Sequence, residues 1–172
     1  RQMCIRDRYK LFWQNYLNIE GRTRRRHYWL ATLCNILVLI LLSLIFGILT
    51  SLFKDGEIFF GIIYGIIDLV LLIGLFTMSV RRFHDVGHTM TIPVIMLVCM
   101  LFREIETLID TYFQVSLESF FTGFVGTIVT IVVGAISFAL LIISIIALVY
   151  CVKDSEQGSN AYGPNPKEVD HY

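Results

Sequence analysis

A compact group of reactive side chains lies in the middle of the sequence, in the octapeptide RRFHDVGH that begins at Arg81. His84, Asp85 and His88 stand at positions i, i+1 and i+4, a spacing at which metal ligands can share one face of a helix. However, Gly87 is expected to end the helix, and two histidines with one carboxylate lack a fourth ligand nearby. We therefore predict no metal site, and we interpret Asp85 as the partner of an arginine and His84 as a hydrogen-bonding loop residue.

A second group is basic and lies ahead of the first apolar stretch, in the segment GRTRRRHYW that runs from Gly21 to Trp29. Attraction to anionic lipids is the simplest account of its four arginines, because each arginine contributes about 1 kcal/mol near an anionic membrane surface. A phosphate or headgroup site is the sharper hypothesis, since a guanidinium group binds phosphate through two parallel hydrogen bonds. The sequence leaves both interpretations open.

Asp68 is the third candidate, because it is the single charged residue in a long apolar segment. Intramembrane carboxylates usually face protein or a water-filled cavity. Gly61, Gly65 and Asp68 are spaced i, i+4 and i+7, so Asp68 shares a helix face with a GxxxG pair that would allow close helix packing. It is either a structural acid, protonated or bonded to Asn35 or to a serine of another helix, or a transport residue.

Composition limits the class of protein that can carry these residues. Of 172 residues, 56% are hydrophobic and 16% are charged, and the mean hydropathy is +0.70. A soluble core of this size could not bury so much apolar surface, so we expect an integral membrane protein. The net charge of zero gives no reason to expect a nucleic-acid partner. Cys34, Cys99 and Cys151 are isolated thiols, and together with the lack of nucleotide-binding or hydrolase motifs they predict no cofactor.

The chain divides into four parts by its composition. Residues 1–8, RQMCIRDR, resemble translated sequencing-adapter read-through and are expected to be non-native. Residues 9–27 form an amphipathic helix and the basic block, 28–152 form the transmembrane domain, and 153–172 form a polar, turn-rich tail.

The expected fold is all-α, an integral membrane bundle of four transmembrane helices. Apolar runs cover about 20 residues or more in three of the four segments, which is the length that crosses a bilayer core. The third run is shorter and could instead be re-entrant. The predicted spans are 28–53, 58–80, 89–102 and, within the long run 119–152, 128–150. Residues 54–57 form the turn between the first two spans.

Orientation follows from the basic residues, which are retained on the cytoplasmic side. With four spans, both termini are cytoplasmic and nine Lys and Arg lie inside against two outside, leaving residues 1–8 aside. With three spans, the distribution is eight against three. The sequence therefore favours four spans.

An aromatic helix precedes the first span. Tyr9, Phe12, Trp13 and Tyr16 recur at i, i+3, i+4 and i+7, which places them on one face. We interpret this segment as an interfacial amphipathic helix, and the alternative is a helix that packs on the cytoplasmic loops.

Three separated blocks, GRTRRRHYW, RRFHDVGHT and GSNAYGPNP, resemble the signature blocks of domain-of-unknown-function family 805, whose members are small bacterial inner-membrane proteins. The resemblance implies a multi-pass fold and a location in the inner membrane, and it assigns no activity. Two departures stand out: residues 90–93 read MTIP where members often have tryptophans, and residues 103–118 look like an enlarged outer loop. The family-like positions include Arg22, Arg25, Tyr28, Trp29, Arg81, Arg82, His84, Asp85, Asn160 and Tyr162.

Three function hypotheses follow. The first is a non-enzymatic membrane protein whose cytoplasmic Arg/His/Asp cluster binds anionic phospholipid or a partner protein, with a homo-oligomer as a further option. The second is a small transporter that uses Asp68, and the third is a lipid-acting enzyme with His84 and Asp85 as acid and base. Because six arginines repel one another, we predict that Asp85 pairs with Arg22 or Arg25 and that Tyr162 packs over the pair.

Overall fold

A computed structural model describes residues 5–113 and 123–169, and within those ranges the chain forms helices and no strand. The helices are α1 (Ile5–Gln14), α2 (Arg25–Leu52), α3 (Glu57–Asp85), α4 (Thr91–Phe113), α5 (Gly123–Val152) and the one-turn α6 (Pro166–Val169). A 3-10 turn, Lys54–Gly56, joins α2 to α3 and confirms the predicted hairpin. The all-α class is confirmed.

Three of these helices, α2, α3 and α5, are long and apolar enough to cross a membrane. Their 28 to 30 residues exceed the roughly 20 that a bilayer core requires. Large apolar side chains such as Leu41, Ile66 and Ile131 point outward from them. Such a surface suits contact with lipid rather than with water.

Helix α3 continues past the predicted end of its span, from Val80 through the RRFHD sequence to Asp85. It stops there because Gly87 adopts a φ of +77°, a left-handed conformation that glycine tolerates. A Cβ on Gly87 would also lie 2.7 Å from Oε2 of Glu156. The predicted role of Gly87 as the helix terminator is confirmed.

The expected outer loop over residues 103–118 is wrong for residues 103–113, which continue α4 to Phe113. Charge does not end the helix, because arginine and glutamate are good helix formers. Arg103 pairs with Glu104 at 3.0 Å, and the Thr107 hydroxyl bonds the Arg103 carbonyl oxygen. Residues 114–118 and 119–122 lie outside the described part of the chain, so α5 is described from Gly123.

The aromatic face of α1 packs against the α2–α3 pair. Phe12 is 1% exposed and contacts Ala31 of α2 and Met78 of α3. Gly74 of α3 makes room for this contact, because a Cβ there would lie 2.6 Å from the Phe12 ring and 2.9 Å from the Tyr16 ring. The segment therefore docks on the bundle itself.

Two hydrogen bonds fix the position of this aromatic segment along the helices. The Tyr9 hydroxyl donates to Oδ1 of Asn35 at 3.0 Å, and the Tyr16 hydroxyl donates to the Val70 carbonyl oxygen at 2.5 Å.

The prediction of close helix packing at Gly65 is wrong. A Cβ at Gly65 would meet nothing within 4 Å.

Candidate functional site

The three sequence blocks meet at one end of the bundle, around the carboxylate of Asp85. Its side chain is 0% exposed, and Oδ1 accepts a hydrogen bond from Nε of Arg22 at 3.1 Å. Oδ2 accepts bonds from the Ser155 hydroxyl, at 2.6 Å, and from Nη1 of Arg82. We call Arg22, Arg82, Asp85 and Ser155 the ionic cluster. The predicted pairing of Asp85 with Arg22 is confirmed.

Arg22 joins the first block to the third through its remaining donors. Nη1 donates to the carbonyl oxygens of Gly158 and Gly163, at 2.8 and 3.2 Å. Nη2 donates to those of Asp85 and Glu156, at 3.2 and 2.6 Å. A guanidinium group has five N–H donors, and each of the five is used here. Arg22 is therefore fully occupied by the protein.

Arg82 binds the end of α5. Its Nε donates to the Cys151 carbonyl oxygen at 3.1 Å, and Nη2 donates to those of Tyr150, at 3.4 Å, and Lys153. The last carbonyl groups of a helix lack partners within the helix and carry a partial negative charge. Arg82 therefore neutralises both the Asp85 carboxylate and the carboxy-terminal end of α5.

Two further side chains of the first block cap the same helix end. Nη1 of Arg25 donates to the Val152 carbonyl oxygen at 3.1 Å, and Nε1 of Trp29 donates to that of Cys151 at 3.2 Å. Tyr28 lies between them and packs against both buried apolar clusters at this end of the bundle. Arg25 thus binds α5, and Arg22 takes the place beside Asp85.

The Tyr162 ring lies over His84, with ring centroids 3.8 Å apart and planes 3° from parallel. The expectation that it would cover the Asp85–arginine pair is wrong. Tyr162 belongs to the turn at residues 160–163, which Asn160 holds beside His84. Nδ2 of Asn160 donates to the His84 carbonyl oxygen at 2.9 Å, and Oδ1 of Asn160 accepts the Tyr162 N–H at 3.0 Å.

The two histidines of the second block face different neighbours. His84 stacks on Tyr162, whereas the His88 ring lies against Tyr150 with centroids 4.1 Å apart. Among residues 5–113 and 123–169, no three histidine, cysteine or acidic side chains come together in a way that could hold a metal ion.

Arg81 points away from the ionic cluster, towards α1. Its Nη2 donates to the Asn15 carbonyl oxygen at 3.3 Å, and its own carbonyl oxygen accepts the Thr23 N–H at 3.0 Å. Its Nε is buried and has no hydrogen-bond partner. Arg81 is therefore a buried guanidinium whose Nε is left without a hydrogen-bond partner.

Asp68 and Asn35 lie outside the ionic cluster. Asp68 precedes Asp85 by 17 residues on α3, or about 25 Å along a helix. The charged groups that act on it are Glu104 and Arg103 of α4. Asn35 bonds Tyr9, so the expected bond between Asn35 and Asp68 is replaced by one to α1.

The hydroxyl groups that could extend a polar path from Asp68 are occupied locally. Ser43, Thr130 and Ser144 each donate to a backbone carbonyl oxygen of their own helix three or four residues earlier. Self-bonded hydroxyls of this kind are common in helices and offer little to a solute.

Two residues of the site, Ser155 and Glu156, escaped the sequence analysis. Ser155 bonds the Asp85 carboxylate, and Glu156 contributes its N–H to the Asp85 carbonyl oxygen and its carboxylate to Asn160. The only feature of the sequence that could have indicated them is their position directly after the last apolar run. Polar residues are common at that position, so it does not mark a functional residue.

These observations define a helical membrane protein with three apolar helices and a buried ionic cluster that joins three separate segments at one end. The chain belongs to the family described as "Protein of unknown function (DUF805)", which matches residues 16–164. This match confirms the resemblance of the three blocks. No curated protein and no solved structure gives a significant match.

Proposed function

We propose that this protein is a non-enzymatic, four-span protein of the bacterial inner membrane that binds anionic phospholipid headgroups at its cytoplasmic face. Arg25, Arg26 and Trp29 are the residues that contact the headgroups. Both termini lie on the cytoplasmic side, and the ionic cluster holds the first turn of α2 in place beside the end of α5.

The observation that carries this proposal is that some arginines of this region are buried and bonded within the protein, whereas others are exposed. Arg22 and Arg82 are buried and bonded within the ionic cluster, whereas Arg25 and Arg26 are exposed beside the exposed Trp29. Arginine and tryptophan side by side suit the headgroup level of a membrane. Each exposed arginine contributes about 1 kcal/mol near an anionic surface.

The directions of the helices support four spans. Asp85 at the end of α3 bonds Ser155, which follows α5 closely, so α3 and α5 run the same way. The chain must then return between them, and α4 has 23 residues, or about 34 Å at 1.5 Å per residue. That length is sufficient for a hydrocarbon core of about 30 Å. The charged residues of α4 begin at Arg103 and would lie towards the outer surface.

The position of α1 supports an interfacial placement. Helix α2 has 28 residues, about 42 Å, so about 12 Å of it can extend beyond the hydrocarbon core. Asn35, which bonds Tyr9, lies ten residues, or about 15 Å, into α2. Trp13 remains 42% exposed on α1. This geometry supports a position of the aromatic segment near the headgroup boundary, where such rings are favoured.

The other two hypotheses have weaker support. An enzyme that used Asp85 as a base would need a free carboxylate oxygen, and both oxygens are occupied by Arg22, Arg82 and Ser155. A transporter that used Asp68 would need further polar groups along a path, and the hydroxyl groups of Ser43 and Ser144 bond their own helices.

Native mass spectrometry of the purified protein tests the lipid proposal. We expect retained phosphatidylglycerol and cardiolipin to exceed zwitterionic lipid, and Arg26→Gln to weaken this retention about fivefold, because about 1 kcal/mol is lost. The double variant Arg25→Gln/Arg26→Gln should lose more. Arg103→Gln is the matched control from α4 and should leave retention unchanged. Equal retention of anionic lipid by the wild type and the double variant would contradict the proposal.

A further inference from the structure

A largely apolar cavity of about 370 Å³ lies among α2, α3, α4 and α5, next to the ionic cluster. Each of the four helices contributes side chains to it, including Trp29, Leu75, Met96 and Leu148. None of the described residues that line it carries a charge. Sites for small ligands typically have volumes of about 300 to 1,000 Å³. The cavity is therefore large enough for a ligand, and its lining suits an apolar one.

The few polar side chains of the lining do not form a polar site. The hydroxyl groups of Ser79 and Ser144 donate to backbone carbonyl oxygens of their own helices, each at 2.8 Å. The hydroxyl groups of Tyr28 and Thr32 belong to the first two turns of α2, at the end of the cavity nearest the ionic cluster. The rest of the lining offers mainly hydrocarbon contacts.

The cavity opens on the outer surface of the bundle. Three of the residues that line it, Trp29, Met100 and Leu148, are also exposed there. They lie on helices whose other exposed side chains are apolar and suit contact with lipid. A hydrocarbon chain can therefore enter the cavity directly from the surrounding lipid.

The length of the cavity matches one leaflet of a bilayer. Along α3 its lining runs from Phe83, beside the ionic cluster, back to Leu72. These residues are eleven positions apart, or about 16 Å at 1.5 Å per residue. The hydrocarbon core of a bilayer is about 30 Å thick, so the acyl chains of one leaflet fill about half of that.

Trp29 connects the cavity to the exposed arginines. Its Nε1 donates to the carbonyl oxygen of Cys151 at 3.2 Å, and both residues line the cavity. Arg25 and Arg26 precede Trp29 by four and three residues, so they lie one helical turn away on the same side of α2. A phospholipid headgroup at these arginines would thus place its acyl chains beside the opening.

We infer that one acyl chain of the phospholipid whose headgroup contacts Arg25 and Arg26 occupies this cavity. The inference rests on the proposed function and deepens it, because it names the part of the lipid that the helices recognise. The energetic reason is packing. An empty cavity forfeits the dispersion contacts of its lining, and a chain restores them.

Native mass spectrometry of the full chain, supplied with equal amounts of phosphatidylglycerol and phosphatidylcholine, tests this inference. Ser144→Phe should lower retention of both lipids about fivefold, because the ring takes the space of part of the chain. The preference for phosphatidylglycerol should remain, because the arginines are intact. Ser137→Phe is the matched control, since Ser137 is also exposed on α5 but lies outside the lining. It should leave retention unchanged.

The outcomes separate this inference from the proposed function. Unchanged retention by Ser144→Phe, or an equal loss with Ser137→Phe, would overturn the acyl-chain site even if Arg26→Gln removes the preference for anionic lipid. A loss specific to Ser144→Phe, with no anionic preference in the wild type, would support the acyl-chain site and contradict the headgroup contacts.

A second measurement uses the wild type and needs no folded variant. Phosphatidylglycerol with a photoreactive group on one acyl chain is incorporated with the protein into vesicles, and the cross-linked residues are identified by mass spectrometry. Leu148 and Ile145 are equally exposed, at 56%, and lie within one turn of α5, but only Leu148 lines the cavity. We expect cross-links at Leu148 to exceed those at Ile145. Equal labelling of the two would indicate surface lipid alone and would overturn the inference.

Discussion

At the scale of single residues, the ionic cluster shows how the protein compensates the positive charge of its buried arginines. Two arginines, Arg22 and Arg82, are buried with one carboxylate, Asp85, which leaves an excess of positive charge. Backbone carbonyl oxygens offset this excess, including those at the end of α5, where the helix dipole places about half a negative charge. The negative partner of the arginines is therefore one aspartate together with a helix end.

A double-mutant cycle tests this pairing. Asp85→Asn should lower the free energy of unfolding by ~3 to 5 kcal/mol, because it leaves the buried Arg22 and Arg82 without their carboxylate. Arg22→Gln should lower it by more than about 1 kcal/mol, because it removes a buried guanidinium that bonds Asp85, although Asp85 keeps Arg82. The double variant should lose less than the sum of the two. The measurement is reversible unfolding in mixed detergent micelles.

Asp154 and Lys167 provide the matched control for this cycle. They form an ion pair of 2.5 Å whose side chains are 61% and 43% exposed. Breaking such a pair with Lys167→Gln should cost under about 1 kcal/mol. Strictly additive losses at Asp85 and Arg22, or losses as small as that of Lys167→Gln, would refute the buried cluster.

At the scale of secondary-structure elements, the contact between α1 and α3 depends on a single glycine. Gly74 faces the rings of Phe12 and Tyr16 at distances that leave no room for a Cβ. Gly65 lies on the same helix and faces open space. The two glycines therefore separate the effect of packing from that of helix propensity.

We predict opposite effects of alanine at these two positions. Gly74→Ala should destabilise the protein by about 1 to 3 kcal/mol, because it forces the rings of Phe12 and Tyr16 away from α3. Gly65→Ala should be neutral or should stabilise by up to about 1 kcal/mol, since alanine favours a helix interior. Thermal unfolding in detergent measures both, and equal effects would show that α1 does not dock at Gly74.

The elements also show how far the sequence can be interpreted by itself. The long apolar runs predicted α2, α3 and α5, because a membrane-spanning helix must be long and apolar, and composition alone reveals such a run. The apolar run 89–102 predicted the start of α4 but not its end, since Arg103 and Glu104 interrupt the run without breaking the helix. Likewise, the GxxxG pattern pointed to Gly65, whereas the glycine in close contact is Gly74, and only the position of the aromatic segment reveals this.

Within the site, charge complementarity predicted the contact between Asp85 and Arg22. It could not predict Glu156, whose carbonyl oxygen and N–H make its main contacts to Arg22 and Asp85. Every residue carries these backbone groups, so no residue type signals them. The stacking of Tyr162 on His84 depended in the same way on the fold of a turn that Asn160 organises.

At the scale of the whole molecule, the ionic cluster constrains the membrane topology. The ends of α3 and α5 and the start of α2 meet at the cluster, so all three must lie on the same side of the membrane. In the proposed four-span topology, α4 crosses the bilayer between them, although its charged half keeps it from being recognised as a span by composition. We therefore predict that the hairpin at Lys54–Gly56 lies on the opposite side of the membrane from the tail.

Cysteine labelling in intact cells measures this directly. Single cysteines would replace Asp55, in the exposed hairpin, and Ser159, in the exposed part of the tail, in a variant whose native cysteines are changed to alanine. A membrane-impermeant maleimide should label position 55 from outside and position 159 only after the inner membrane is permeabilised. Labelling of both positions from outside would place the end of α5 opposite the end of α3, and the contact between Asp85 and Ser155 could not then exist in the membrane.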